Sequence, residues 1–292
     1  MDRAGRLTVG EALQRASLRL RKAGLEQPRD EAEILLAHLL GWSRLKLFLE
    51  RSSELPAGSG AAFSAAVERR ARHEPLAYIT GEKEFYGLPF AVSPAVLIPR
   101  PETELLIDAV LEWARKREGK ITGVDLGCGS GNLAVTLAYH LPEATFCAVD
   151  LSSEALELAK ANALRHGVHE RVCFVKGDFR QAPAFPQPLL RFNLIVSNPP
   201  YVERGELEEL PATICNYEPL LALDGGPDGL AAYRGILAAL PRYLERPGLM
   251  ALEIGSGQGS ALLALCRELD LFHQLDLLRD YRSLPRIITG LF

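Results

Sequence analysis

Val124-Asp125-Leu126-Gly127-Cys128-Gly129-Ser130-Gly131-Asn132 reads as the junction between an apolar strand, Ile121–Leu126, and a helix, Asn132–His140. The glycines permit a tight turn and let a ligand approach bare backbone. Downstream, strands and helices alternate. Thr145–Asp150, Val172–Lys176, Phe192–Ser197 and Leu249–Ile254 read as strands, followed by Leu275–Arg279 and Arg286–Gly290. Between them Ser153–His166, a segment around Gly229–Leu244, and Gly259–Leu269 read as helices. Such alternation predicts a mostly parallel sheet covered by helices on both faces. Ligands of these sheets sit at the carboxyl ends of strands, near the switch in strand order. The loop spacing is G-x-G-x-G. The dinucleotide fingerprint needs a further glycine at 132, where Asn132 stands, so a nicotinamide dinucleotide is disfavoured.

The next strand ends carry polar chemistry. Asp150 closes the second strand, where a carboxylate suits the two hydroxyl groups of a ribose. Asp178-Phe179 follows the third, offering an acceptor for a purine amino group and a ring for its face. A lone Asp at a strand end is more often a cap or turn residue, but acids at successive ends of one sheet argue for a shared site. The fourth strand runs into Asn198-Pro199-Pro200-Tyr201. Proline lacks an N–H and has a fixed φ, so this backbone leaves the ladder. What remains is a stiff corner with an amide side chain, carbonyls outside the ladder and an aromatic face. It suits a planar, NH2-bearing group.

Upstream, residues 8–75 read as short helices. Thr8 caps a segment to Ala23, Glu31–Leu40 is ended by Gly41, Leu45–Glu50 is a short third, and Ala61–His73 is bounded by Pro75. Each has one apolar face, so they must pack as a small bundle. From Tyr78 through Val92, β-rich residues broken by glycines predict a hairpin. Pro99–Glu104 opens a helix with proline and acids in its first turn. The division is a helical domain at 1–75, a hairpin linker at 76–98 and a larger α/β domain at 99–292.

Composition sets outer bounds. The 292 residues carry a net charge of −4 and 48% hydrophobic residues, which fits globular chains and argues against a dedicated nucleic-acid binder. Residues 1–75 hold 13 Lys/Arg against 10 Asp/Glu, and the remainder 20 against 27, so the larger domain is the acidic one. The five cysteines form no C-x-x-C pair or metal-ligand spacing with histidine, so no metal is predicted and buried reduced thiols are expected. No apolar run is long enough for a membrane helix, and the first residues lack a signal-peptide core, so a cytoplasmic location is expected.

Asp125-x-Gly-x-Gly-x-Gly131, Asp150, Asp178-Phe179 and Asn198-Pro-Pro-Tyr201 together resemble the class I S-adenosylmethionine-dependent methyltransferases. The resemblance implies a Rossmann-like domain with a seven-stranded, mostly parallel sheet. It places Gly127, Cys128, Gly129, Ser130 and Gly131 under the cofactor's amino-acid end, Asp150 at its ribose, and Asp178 with Phe179 at its adenine. Asn198 then lies between cofactor and substrate, and Pro199, Pro200 and Tyr201 complete the substrate corner, with Asn198, Pro199 and Tyr201 catalytic. The corner alone leaves three substrate classes open: bases in DNA, bases in RNA, and protein glutamine. Arg29–Leu36, Glu74–Gly81, Glu84–Gly87, Leu97–Glu104, Tyr217-Glu218-Pro219 and Asp224–Leu230 are similar to the HemK/PrmC family. Members methylate N5 of the glutamine in the Gly-Gly-Gln loop of class 1 peptide-chain release factors. That implies S-adenosyl-L-methionine as cofactor, S-adenosyl-L-homocysteine as product, a release factor as partner, no direct nucleic acid, and a monomer. The helical domain would orient the protein substrate.

Departures are minor: Cys128 where threonine is common, Phe179 where other aromatics occur, and a proline-rich Pro183–Pro188. Gly255-Ser256-Gly257-Gln258-Gly259 imitates the first glycine loop but reads as a turn after the fifth strand. Arg100, Phe85 and Glu218 each have a bland reading beside a functional one: surface turn, hinge core and surface turn. The run Glu203–Glu209 reads as a solvated acidic helix start. The rival functions are nitrogen methylation of a ribosomal-protein glutamine or a nucleic-acid base, and a non-catalytic S-adenosylmethionine-binding adaptor.

Overall fold

The computed structural model describes residues 7–179 and 191–292; the Pro183–Pro188 stretch lies outside them. The chain divides into two compact units, Met1–Glu82 with Pro211–Tyr217, and Lys83–Leu210 with Glu218–Phe292. No helix among the described residues is long and apolar enough to cross a membrane.

The first unit is helical. Helices α1 (Val9–Lys22), α2 (Pro28–Leu40), α3 (Arg44–Leu49), α4 (Ser59–Ala71) and α5 (Leu76–Thr80) pack Val9, Leu13, Leu20, Leu35, Leu36, Leu47 and Phe63 into one core. Thr8 opens α1 with a capping box shared with Glu11, and Gly41 closes α2 in the left-handed conformation. Pro28 at the first turn of α2 starts that helix three residues before the expected Glu31. The expectation of extended structure from Tyr78 is corrected. Pro75 caps a five-residue helix that buries Tyr78, and Gly81 stops it with φ 72°. Burial on the bundle overrides the β propensity of Tyr78 and Ile79.

The second unit opens with the hairpin β1 (Glu82–Phe85) and β2 (Leu88–Ala91), turned by Tyr86 and Gly87, both with positive φ. A short 3-10 turn, Pro101–Thr103, leads into α6 (Glu104–Arg115). Then follow β3 (Thr122–Leu126), α7 (Asn132–His140), β4 (Thr145–Asp150), α8 (Ser153–Arg165), β5 (Val172–Lys176) and β6 (Phe192–Ser197); after α9 (Ala212–Cys215), which belongs to the first unit, come α10 (Ala231–Tyr243), β7 (Leu244–Glu253), α11 (Gly259–Glu268), β8 (Gln274–Arg279) and β9 (Pro285–Leu291). The acidic run Arg204–Glu209 is a 3-10 turn with no buried residue, as a solvated segment should be.

The seven-stranded sheet has the order β5-β4-β3-β6-β7-β9-β8, with β9 antiparallel to β7 and β8 and the remaining pairs parallel. Strand order reverses between β3 and β6. Alternate residues serve opposite faces: Leu194, Val196, Leu249 and Ala251 meet α6, α7 and α8, while Ile195, Met250 and Leu252 meet α10 and α11. Every residue of β6 is buried, as expected of a central parallel strand. Cys128, Cys147 and Cys266 are buried, but Cys173 on edge strand β5 is exposed and Cys215 in α9 is half-buried, so the expectation of buried thiols is corrected for these two.

Asn162, fully buried in α8, fastens the hairpin to the glycine loop. Its Oδ1 accepts from Ala91 N (2.8 Å), and its Nδ2 donates to Ala91 O (3.0 Å) and Ser130 O (2.8 Å). Asn162→Ala strands the half-buried N–H and carbonyl of Ala91 and the buried carbonyl of Ser130, so it should cost about 2–4 kcal/mol of stability. A urea midpoint equal to that of the wild type would refute this.

Candidate active site

The glycine loop folds across the end of β4. Gly127 N and Cys128 N both donate to Val149 O, at 2.8 and 2.9 Å. Gly127 and Gly131 adopt φ of 76° and 78°, a region open to glycine without strain. A Cβ on Gly131 would stand 3.0 Å from that of Ala159, so this glycine lets α7 start tight against α8. Asp150 Oδ2 accepts from Gly129 N and its Oδ1 from Ser152 N, both at 2.9 Å, which ties the loop to the end of β4. Burial raises the Asp150 carboxyl while these bonds hold it down.

Beneath the loop, Asp125 is wholly buried. Its Oδ2 accepts from Ala134 N (3.1 Å) in the first turn of α7, and its Oδ1 has no partner among the described residues. Burial pushes this carboxyl up to about 7, with the charge of Asp150 adding to the rise.

A cavity of about 280 Å³ opens above the loop, near the lower bound of about 300 Å³ for ligand pockets. Of the residues singled out from sequence, Gly127, Cys128, Gly129, Ser130, Asp150, Asp178, Phe179, Asn198 and Pro200 line it. Gly131, Pro199 and Tyr201 are not among its lining residues. Two carboxylates, a flat ring and exposed loop backbone form a donor and acceptor set that fits a nucleoside carrying an amino-acid tail. A Cβ on Gly129 would meet nothing within 4 Å, so only the lack of a side chain keeps that space open. Among the described residues no group of His, Cys, Asp and Glu is placed to hold a metal.

The cavity has two further walls, from segments to which the sequence reading gave a family likeness at most and no cavity role. Pro94 to Leu97, Pro99 and Thr103 form one; Pro219, Leu221 and Ala222 form the other. Arg100 and Glu218 join them. Arg100 Nη2 lies 2.6 Å from Glu218 Oε1, and Ile98 N donates to Glu218 Oε2 (3.3 Å). The Glu218 side chain is only 2% exposed, which rules out the surface-turn reading for both residues. Phe85 takes its bland reading: it is core, edge-on to Phe90.

At the end of β6, Ser197 Oγ donates to Leu126 O (2.5 Å), fastening the corner to β3. Asn198 Nδ2 donates to Thr103 Oγ1 (3.3 Å), and Thr103 Oγ1 donates to Glu253 Oε2 (2.5 Å). Past the corner the chain runs over glycines. Val202 N donates to Leu223 O (3.0 Å), Gly225 N donates to Val202 O (2.8 Å), and a Cβ on Gly225 would come within 2.8 Å of Tyr201 Cα. The second glycine loop holds the same segment from the other side, since Gln258 Nε2 donates to Tyr201 O (2.9 Å) and Gly229 O (3.2 Å). It is a turn after β7, as expected, and also a latch. Burial pushes the Tyr201 phenol up to about 12, so it stays neutral.

Known proteins bear on this geometry. Residues 11–81 match the family model "PrmC N-terminal domain" and residues 101–214 match "Methyltransferase small domain". A release factor glutamine methyltransferase of Moorella thermoacetica is 42% identical over 280 residues, covering 96% of this chain and 97% of that protein. One from Nitratidesulfovibrio vulgaris is 40% identical, covering 96% and 94%. Among solved structures, the hMettl16 catalytic domain in complex with a MAT2A 3′ UTR hairpin aligns with a TM-score of 0.56 at 16% identity, covering 76% of this chain and 81% of that one. That likeness concerns the fold alone.

The raised Asp125 carboxyl has a stability consequence. The folded protein keeps a proton that the unfolded chain releases near the ordinary value of 3.8. The associated stability is complete below about pH 4 and is lost as the pH climbs to about 7. Asp125→Asn abolishes this titration. Its stability relative to wild type should therefore rise between about pH 4 and 7 and level off above, as denaturant midpoints will register. A constant difference across that window would contradict the assignment.

Proposed function

The chain belongs to the release factor glutamine methyltransferase family, and from that premise we propose that it methylates N5 of the glutamine in the Gly-Gly-Gln loop of a class 1 release factor. S-adenosyl-L-methionine supplies an electrophilic sulfonium methyl group and leaves as S-adenosyl-L-homocysteine. The glycine loop from Gly127 to Ser130, with Asp150, Asp178 and Phe179, would hold it. Its location of action would be the cytoplasm, where translation terminates.

A glutamine amide nitrogen is a poor nucleophile because its lone pair is delocalised into the carbonyl. The enzyme's task is to fix that nitrogen and leave its electron density pointing at the methyl group. In this reading the Asn198 Oδ1 and the Pro199 carbonyl each accept one amide N–H, and Tyr201 shapes the corner. The observation that carries it is the hydrogen bond from Asn198 Nδ2 to Thr103: it fixes the planar amide with its nitrogen turned to Thr103, which turns Oδ1 away from Thr103 at a side chain that lines the cavity. Each neutral hydrogen bond contributes only about 1 kcal/mol net. Alignment supplies the larger share, since effective molarities correspond to roughly 7–11 kcal/mol. No strong base is required, because the methylated amide loses its surplus proton readily. The acidic balance of residues 76–292, 27 Asp/Glu against 20 Lys/Arg, disfavours a nucleic-acid substrate.

Asn198→Ala removes one acceptor and the alignment it gives. Turnover of release factor at saturating cofactor should drop by tenfold or more, roughly 1.4 kcal/mol or above in the barrier. Turnover within about twofold of wild type, on the same scale, would remove Asn198 from the mechanism.

A further inference from the structure

Glu253 is a buried carboxyl at the carboxyl end of β7 that the proposed chemistry leaves unused. It meets Asn198 through a single hydroxyl, that of Thr103. Thr103 is itself 1% exposed, so no bulk solvent competes for its hydrogen. A threonine hydroxyl owns one hydrogen, and an ionised carboxylate accepts but never donates. Ionised Glu253 therefore claims the Thr103 hydrogen at 2.5 Å, and Thr103 turns a lone pair toward Asn198. Only Nδ2 satisfies a lone pair, as the 3.3 Å contact records, and Oδ1 is left to the cavity.

A proton on Glu253 reverses the chain of donors. The carboxyl O–H then donates to Thr103 Oγ1, and the Thr103 hydrogen is released toward Asn198. The amide that accepts it is the flipped one, with Oδ1 toward Thr103 and Nδ2 toward the cavity. A donor would then face the N–H groups of the substrate amide, and the acceptor geometry is lost.

We propose that Thr103 and Glu253 are positioning residues that set the orientation of the Asn198 amide, so that ionised Glu253 presents Oδ1 to the substrate nitrogen and protonated Glu253 withdraws it. The proposal rests on the reading of Asn198 as the acceptor for that nitrogen. The charged and titratable groups facing Glu253 come from four elements: Arg286 of β9, Arg100 and Glu102 before α6, Tyr201 beyond β6, and Tyr233 of α10, whose hydroxyl donates to the Glu253 carbonyl at 2.8 Å. Arg286 and Arg100 favour the ionised form, but each also faces a carboxylate of its own, Asp280 and Glu218. Burial opposes ionisation more strongly and pushes the Glu253 carboxyl up to about 7. The switch point thus falls inside the range in which cells work.

The test is steady-state methylation of a release factor at saturating cofactor across about pH 6 to 9, with wild type, Thr103→Val, Thr103→Ser, Glu253→Gln and Asn198→Ala. Wild-type kcat should climb through an inflection near 7. Thr103→Val keeps the side-chain shape and should lose about fivefold in kcat, the equivalent of one neutral hydrogen bond, with cofactor affinity within about twofold. Thr103→Ser restores the hydroxyl and should recover most of kcat. Glu253→Gln should abolish the inflection. Asp125, the other carboxyl raised to about 7, lies under the glycine loop and would report in cofactor affinity, not in turnover at saturation. Wild-type kcat in Thr103→Val, or an inflection that survives Glu253→Gln, overturns the proposal if Asn198→Ala is impaired. Full activity in Asn198→Ala overturns the acceptor reading itself, and the relay with it.

Discussion

Strand β3 lies between β4 and β6 and pairs with both in parallel. Parallel pairing brings the carboxyl ends of all three strands to one edge of the sheet, and the reversal of strand order there opens a crevice between their loops. The glycine loop, Asp150 and Asn198 are neighbours for this reason, although 71 residues separate Gly127 from Asn198 in sequence. Ser197 fastens the corner directly to β3 through Leu126 O, so the two ligand-facing loops share one anchor. Were β6 to pair elsewhere, each loop would keep its local shape and the site would not exist.

Rigidity at the corner comes from packing of backbone against backbone. Asn-Pro-Pro-Tyr leaves the sheet as a locally stiff corner, but its place relative to the rest of the site must be set by contacts. Gly225 and Gly229 allow the chain to lie against the Tyr201 backbone, and Gln258 bonds its carbonyl from the far side. The Arg100–Glu218 pair ties together the segments that supply the two walls, Pro94–Thr103 and Pro219–Ala222, through a buried carboxyl that also accepts from Ile98 N. A buried pair of this kind is a poor source of net stability, and its use is in fixing geometry. The walls of the cavity are thus set by contacts between segments more than a hundred residues apart.

Two buried carboxyls, Asp125 and Glu253, sit on opposite sides of the site and are both displaced upward to about 7 by burial. Such perturbed groups gather where function outweighs stability. Asp125 supports the first turn of α7 and through it the glycine loop. Glu253 reaches Asn198 through Thr103. The same physical cause therefore acts at the glycine loop through backbone and at the Asn198 corner through a hydroxyl.

Local signals in the sequence carried the second unit well. Apolar runs ending in glycine, acid or proline located β3 to β6 within a residue, because a buried parallel strand must be apolar and must stop where its chemistry begins. Residues of the site that announce themselves by type and spacing, Gly127 to Ser130, Asp150, Asp178, Phe179, Asn198 and Pro200, do meet at one cavity. Where pattern misled, burial was the reason: Tyr78 and Ile79 look extended but pack as helix α5 against the bundle. Thr103, Asn162, Glu253 and Gln258 gave no signal, since a threonine in a proline-rich turn or a glutamine in a glycine loop has no distinctive spacing. Their roles arise from which hydrogen each one owns and which neighbour the fold sets beside it. The sequence by itself determined which chemistry is available at each strand end. Only the tertiary structure decided what Asn198 touches, because its partner Thr103 lies 95 residues before it, and Glu253, to which Thr103 donates, lies 55 after it.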